Sequence, residues 1–176
     1  GEIAKEYIDK QVAQGQADTT TQKANWLLEQ LEPIAARPVA DLKPIDLLAA
    51  LKRIEAKGKY ETARRCRSFA GRVFRYAVAT GRGESDPSAI LRGALVVPKV
   101  KHHAAILDPK QMGELLRAID AYSGHAITRL AMQVSPHVMA RPGELRMAEW
   151  SEFDLEKAVW KIPAERMKMR RPHEVP

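Results

Sequence analysis

Arginine, glutamate and lysine recur toward the C-terminal end in a spacing that suits phosphate chemistry. The run Arg141-Pro-Gly-Glu-Leu-Arg-Met-Ala-Glu-Trp150 leads to Ala158-Val-Trp-Lys-Ile-Pro163 and then to the basic Glu165-Arg-Met-Lys-Met-Arg-Arg171. Arg141 precedes Pro142 and is expected in the cap region of a helix, where free N–H groups favour anions and a guanidinium adds a bidentate donor. Glu144, one turn on, can accept from that guanidinium or stabilise the positive end of the helix. The same residues also fit a helix start buttressed by a local Arg–Glu pair, with no ligand at all. Lys168 follows on what reads as a β-hairpin, and alternation sets it on one face with Arg166 and Arg170. Three cations on one extended face are costly unless that face meets solvent or an anion. Lys168 is therefore either part of a solvated hairpin tip or a flexible arm that protonates the leaving oxygen of a phosphate ester.

The elements that must position these groups are mostly helical. Ile3, Tyr7, Ile8 and Val12 give residues 2–14 an amphipathic helix, and Thr19-Thr20-Thr21 offers capping hydroxyls for a second that stops near Pro33. A proline-bracketed connector leads to a third helix from Pro44 to a stop at Gly58, and the longest helix runs from about Glu61 to Thr80 before Gly81. Gly81, Gly83, Asp86-Pro87 and Gly93 mark turns around one short helical segment. Residues 98–103 read as an extended linker between domains over 1–97 and 104–176. Asp108-Pro109 caps a further helix, and another runs from His125 until Ser135-Pro136 interrupts it, so the approach to Arg141 is expected to be irregular. Phe153-Asp154-Leu155 reads as a turn, Val159–Ile162 as a strand, and Val175 as part of a returning strand.

The 176 residues, 45% of them apolar, suffice for a packed core, and no apolar run is long enough for a membrane span. The start lacks a signal pattern and an initiator Met, so the natural N-terminus is expected upstream. The one cysteine, Cys66, falls among apolar helix positions and reads as a buried thiol in a reducing compartment. The net charge of +7 is concentrated: residues 59–103 carry ten Lys or Arg against three Asp or Glu, while both flanks are nearly balanced. On the longest helix, Ala63, Cys66, Phe69, Ala70, Val73, Phe74 and Ala77 share one side, with Arg64, Arg65, Arg72 and Arg75 on the other. Only Glu61 balances these arginines inside the helix. The face is either solvated or, with Lys99 and Lys101 downstream, a contact for a polyanion such as DNA. His102-His103 has no Cys or acidic residue at ligand spacing, so no metal is expected there.

Glu61-Thr-Ala-Arg-Arg65, Val73-Phe-Arg-Tyr-Ala77, Ala79-Thr-Gly-Arg82, Asp86-Pro87, Ala105-Ile106, Arg141-Pro-Gly-Glu-Leu145, Trp150-Ser-Glu-Phe-Asp154 and Ile162-Pro-Ala-Glu-Arg-Met-Lys168 follow one another in an order and spacing that resemble prophage integrases of the tyrosine recombinase family. The resemblance covers nearly the whole chain. It implies a mainly α fold: an N-terminal helical core-binding bundle, then a truncated α+β catalytic domain with a β-hairpin near the C-terminus. It also implies double-stranded DNA at an attachment-site core as substrate, other protomers of the recombinase as partners, and no cofactor. Arg141 matches the first catalytic arginine, Glu144 the acidic position that supports it, and Lys168 the hairpin lysine. Arg166 and Arg170 join Arg64, Arg65, Arg72, Arg75, Lys99 and Lys101 as expected DNA contacts. The family's His-x-x-Arg and tyrosine nucleophile have no match after Lys168, so the parent is expected to integrate or excise a mobile element in the bacterial cytoplasm, at the nucleoid, while these residues alone bind DNA without cutting it. The rival reading is a non-catalytic helical DNA-binding or adaptor module, in which Arg141 and Lys168 are structural.

Overall fold

The structure is a computed structural model and describes residues 1–99, 105–167 and 169–176. Lys101, Lys168, His102, His103 and residues 100–103 of the expected linker lie outside the described residues. The chain divides into two compact units, Gly1–Lys101 and His102–Pro176.

The first unit is helical: α1 (Glu2–Ala13), α2 (Asp18–Gln30), α3 (Glu32–Ala35), a 3₁₀ turn (Val39–Asp41), α4 (Pro44–Glu55) and α5 (Tyr60–Ala79). α5 packs on α1, α2 and α4, and the core it organises contains Ile8, Leu27, Leu31, Leu47, Leu51, Ile54, Cys66, Phe69, Phe74, Leu91 and Leu95. Pro44 opens α4 with its φ already suited to a helix, and the Asp46 carboxylate accepts from the Lys43 N–H (2.9 Å) while pairing with Arg37 (2.7 Å). Gly58 and Gly81, at φ 73° and 70°, take the left-handed conformation that brackets α5. The apolar side assigned to α5 from its periodicity is buried throughout. Burial also pushes the Cys66 thiol up to about 11, which leaves it a core group that touches the Leu27 carbonyl at 3.9 Å.

Two expectations for this unit are corrected, on the threonine caps and on a short helix after Gly81. Thr19, Thr20 and Thr21 lie inside α2, whose N-cap is Ala17, and Thr21 turns its hydroxyl back to the Ala17 carbonyl instead of capping. The second helix does stop near Pro33, at Gln30, and Pro33 itself sits in the first turn of α3, where its missing N–H costs nothing. No helix forms between Gly81 and Gly93. Backbone bonds from Ala89 to Asp86, Leu91 to Ser88 and Arg92 to Ala89 make a run of turns. The Asp86 carboxylate fixes this run against α5 by accepting from the Ser88 N–H (2.9 Å), the Ser88 hydroxyl (2.6 Å) and Arg75 (2.7 Å). Beyond it, buried Glu55 accepts from the Val96 N–H (2.6 Å) and Lys52 (2.7 Å), tying the departing chain to α4.

The second unit comprises α6 (Pro109–Asp120), α7 (Ala126–Val138), α8 (Pro142–Arg146), a 3₁₀ turn (Trp150–Glu152), β1 (Phe153–Asp154), β2 (Val159–Ile162), a second 3₁₀ turn (Ala164–Arg166) and β3 (His173–Val175). The three strands form an antiparallel sheet in the order β1-β2-β3, with Phe153 opposite Trp160 and Trp160 opposite Val175. Trp160, Ile162 and Val175 are its buried centre, against which Val138, Ala140, Leu145, Ala148, Phe153 and Met167 pack. Asp108 caps α6 as expected, accepting from the Lys110 N–H at 3.0 Å.

Here too the sequence misplaced some boundaries. α7 runs through Pro136 to Val138, because a proline near a helix end forfeits a single bond and its fixed φ is helical. The irregularity before Arg141 falls at Met139, which holds the left-handed conformation (φ 46°). Phe153 and Asp154 are strand, not turn. The turn follows them, with the Asp154 carboxylate accepting from the Lys157 N–H (3.1 Å) and Ala158 at φ 52°. Neither Arg166 nor Arg170 lies in extended backbone: Arg166 closes a 3₁₀ turn and Arg170 has φ 50°, so strand alternation does not relate these two.

Candidate functional site

The short helix α8 sets Arg141 and Glu144 one turn apart with opposite burial. Arg141, held in β conformation by the following proline, is the N-cap. The Glu144 carboxylate accepts from the Arg141 backbone N–H (2.9 Å) and from its guanidinium (2.6 Å). The arginine side chain is 57% exposed and the glutamate side chain 6%. The backbone N–H of Arg141, followed by its guanidinium, holds the Glu144 carboxyl below the usual carboxylate range against the opposing effect of burial. A buried, ionised carboxylate thus orients an arginine whose remaining donors face outward, an arrangement able to grip a phosphate in a fixed orientation.

The basic side of α5 is more partnered than its sequence suggests. Glu61 accepts from Arg64 (3.1 Å) and Arg65 (2.9 Å), and Arg75 pairs with Asp86 (2.7 Å). Arg72 lies over the Phe69 ring at 5.9 Å and is exposed. Asp86 is the partner the sequence did not disclose, since it returns from a turn outside the helix. Pairs exposed on both sides, as those of Glu61 are, are worth about 0–1 kcal/mol, so Arg64 and Arg65 can exchange their carboxylate for phosphates at little cost, whereas Arg75, itself 61% exposed, faces an Asp86 side chain only 14% exposed. Lys99 is exposed.

Arg166 departs furthest from expectation. Its guanidinium pairs with Glu152 (2.9 Å) and donates to the carbonyls of Met147 and Glu144, the latter at 3.0 Å. Glu152 also accepts from Trp160 Nε1 (2.9 Å). Neither Glu152 nor its pairing was foreseen, because no spacing rule links residues brought together by a sheet.

Residues 1–94 match the family model of the phage integrase central domain. The chain belongs to the phage integrases of the tyrosine recombinase family. It is 36% identical over 155 residues to the integrase of Enterobacteria phage P4, covering 81% of this chain and 35% of that one. It is 30% identical over 175 residues to prophage integrase IntS of Escherichia coli K12, covering 99% and 45%. This integrase chain therefore spans less than half the length of these relatives. In fold it is similar to a lambda integrase dimer bound to a COC′ core site, with a TM-score of 0.78 and 20% identity over 99% of this chain and 61% of that one. The Tn1549 transposon integrase with circular intermediate DNA gives a TM-score of 0.75 at 16% identity, over 99% and 60%. The mainly helical architecture with a small antiparallel sheet near the C-terminus is the integrase fold.

Proposed function

We propose that this chain is the DNA-gripping portion of a site-specific recombinase that integrates or excises a mobile element. The observation that carries the reading is the Arg141–Glu144 pair, an exposed guanidinium held by a buried carboxylate. Arg141 binds the scissile phosphate and stabilises charge in the transition state, Glu144 fixes its orientation, and Lys168 protonates the leaving oxygen. Arg64, Arg65, Arg72, Arg75, Lys99, Lys101 and Arg170 contact backbone phosphates. Residues 1–97 act as the core-binding domain, joined by a linker at 98–103 to the catalytic domain from 104. The nucleophile is a tyrosine outside these 176 residues, so the chemistry draws on side chains and needs no metal or nucleotide. Integrases of like fold occur as a dimer on a core site and a tetramer on a Holliday junction, which supports duplex DNA and further protomers as the partners; a DNA substrate of this kind puts the place of action at the bacterial nucleoid.

Two measurements test this together. The 176-residue chain should bind duplex DNA with an affinity that falls steeply with salt, and replacing Arg64, Arg65, Arg72 and Arg75 by Gln should lower the log–log salt slope by roughly 3 to 4, near 0.9 per lost contact, with helical circular dichroism intact. On a nicked suicide substrate, the full-length protein should give a covalent adduct and this chain none. Salt-insensitive binding, or an adduct formed by this chain through Tyr7, Tyr60, Tyr76 or Tyr122, overturns the reading.

A further inference from the structure

Arg166 carries a role beyond the DNA contact suggested by its sequence neighbourhood. α8 is only five residues long, too short to hold its shape without outside partners. At its C-terminal end the backbone bonds run from Met147 to Gly143 and from Ala148 to Leu145. The carbonyl of Glu144 is left over, and Arg166 takes it at 3.0 Å while also reaching the Met147 carbonyl. A cation at the last turn is favoured by the helix dipole as well as by these unmet acceptors. Glu152 holds the guanidinium at 2.9 Å, the two side chains being 21% and 9% exposed, and Glu152 is held in turn by Trp160 in the centre of the sheet. One connected series thus runs from Trp160 through Glu152 and Arg166 to the Glu144 backbone, and from the Glu144 carboxylate to Arg141.

We propose that Arg166 is a positioning residue, a brace that fixes α8 to the sheet so that Glu144 presents Arg141 in a constant place. The inference rests on Arg141 being the phosphate-binding arginine. If Arg166 turned to a DNA phosphate, it would leave the largely covered Glu152 carboxylate, 9% exposed, with Trp160 but without its cation, which partial desolvation penalises. Its forked geometry matters as much as its charge, since Nη1 faces Glu152 and the Met147 carbonyl while Nη2 faces the Glu144 carbonyl, and a lysine's single nitrogen cannot occupy both places.

The test uses the full-length protein and a supercoiled plasmid carrying the DNA junctions that flank its gene. Salt dependence of binding, melting temperature and the rate of covalent adduct formation are measured for the wild type, Arg166→Gln, Arg166→Lys and Glu152→Gln. The brace predicts that all three variants keep the salt slope and affinity but form adduct on the order of 10- to 100-fold more slowly, as a misplaced catalytic group does. Glu152→Gln is the sharpest of them, because it removes no positive charge. A slope lower by about one in Arg166→Gln, with slope and rate both restored in Arg166→Lys, makes Arg166 a phosphate contact and overturns the proposal. If Arg166→Gln does not fold, a wild-type rate in Arg166→Lys overturns it equally. Parallel loss of melting temperature, affinity and rate in Glu152→Gln leaves a general stabilising role and no brace. Failure of the wild type to form any adduct instead overturns the reading of Arg141 itself.

Discussion

Eight residues of α5 are buried, whereas α6 and α7 together have no buried residue among them, although all three helices are amphipathic. In the first unit five helices converge on one core. In the second, the strongly buried side chains among the described residues are those of Trp160, Ile162, Val175 and Glu144. Amphipathic periodicity records that a face is apolar, but not how completely this chain covers it. The difference also separates two kinds of site. The arginines of α5 stand on a rigid rod whose other side is packed, while Arg141 depends on a one-turn helix held by a few polar contacts.

The largest expected effect tests that contrast in packing. Phe69 is 1% exposed and Leu115 in α6 is 42% exposed. Phe69→Ala should destabilise the first unit by about 3–5 kcal/mol, because it leaves a cavity the helices cannot close. Leu115→Ala should cost no more than about 1 kcal/mol, since most of its transfer energy was never gained. Urea denaturation followed by hydrogen exchange should resolve two transitions, the weaker belonging to residues 105–176. A single transition shifted equally by both substitutions would show that the two units share their stability and break the comparison.

A smaller effect separates two helical glycines. A Cβ on Gly71 of α5 would run into the Ser88 hydroxyl and come within 3.1 Å of Arg75 Nη1 and 3.3 Å of Asp86 Oδ2, where the 86–88 turn lies against the helix. Gly71→Ala should therefore cost about 1–3 kcal/mol by overpacking. On Gly113 of α6 the nearest atom is the mobile end of Arg117 at 3.3 Å, so Gly113→Ala should stabilise by about 0.5–1 kcal/mol through helix propensity. Opposite signs at the two positions, with the larger effect at Gly71, are the expected result in thermal melts. A stabilised Gly71→Ala would mean that the turn does not need its close approach to α5.

The buried side of α5 was legible in the sequence because a 20-residue helix repeats its pattern often enough to define a face, and the Arg141–Glu144 pair because its partners are one turn apart. What was not legible came from residues that meet only after folding. Asp86 neutralises Arg75 from eleven positions away, and Glu152 and Arg166 meet across the sheet edge. A single charged face shared by Arg166 and Arg170 requires extended backbone, and the 3₁₀ turn at Ala164–Arg166 with φ 50° at Arg170 removes that premise for these two. Pro136 deceives in the other direction: the rule that proline stops a helix ends α7 too early, since it runs on to Val138.

The smallest effect concerns acid. Glu6 on α1 accepts from both Arg82 Nη1 and Nη2, the latter at 2.8 Å, and from the Tyr76 hydroxyl at 2.6 Å. These bonds, Arg82 first, hold its carboxyl down to about 2 from an ordinary value of 4.5. Because the folded value is the lower one, the contribution is present in full above the unfolded value and is lost as pH falls from 4.5 through about 2. The cluster is solvent-exposed and reaches from α1 to the end of α5, so it steadies the first unit and leaves the second untouched. The Glu144 carboxylate, buried in the second unit, has its hydrogen bonds among the described residues to Arg141, one turn away, so they do not tie distant elements together. Melting curves should therefore show Glu6→Gln below the wild type at neutral pH, in the transition of the first unit alone. The gap should narrow below pH 4.5 and close near pH 2. A gap that stays constant across that range would assign the role of Glu6 to packing and hydrogen bonding that glutamine lacks for reasons other than charge, and a gap in the second unit's transition would show that α1 and the end of α5 stabilise more than their own domain.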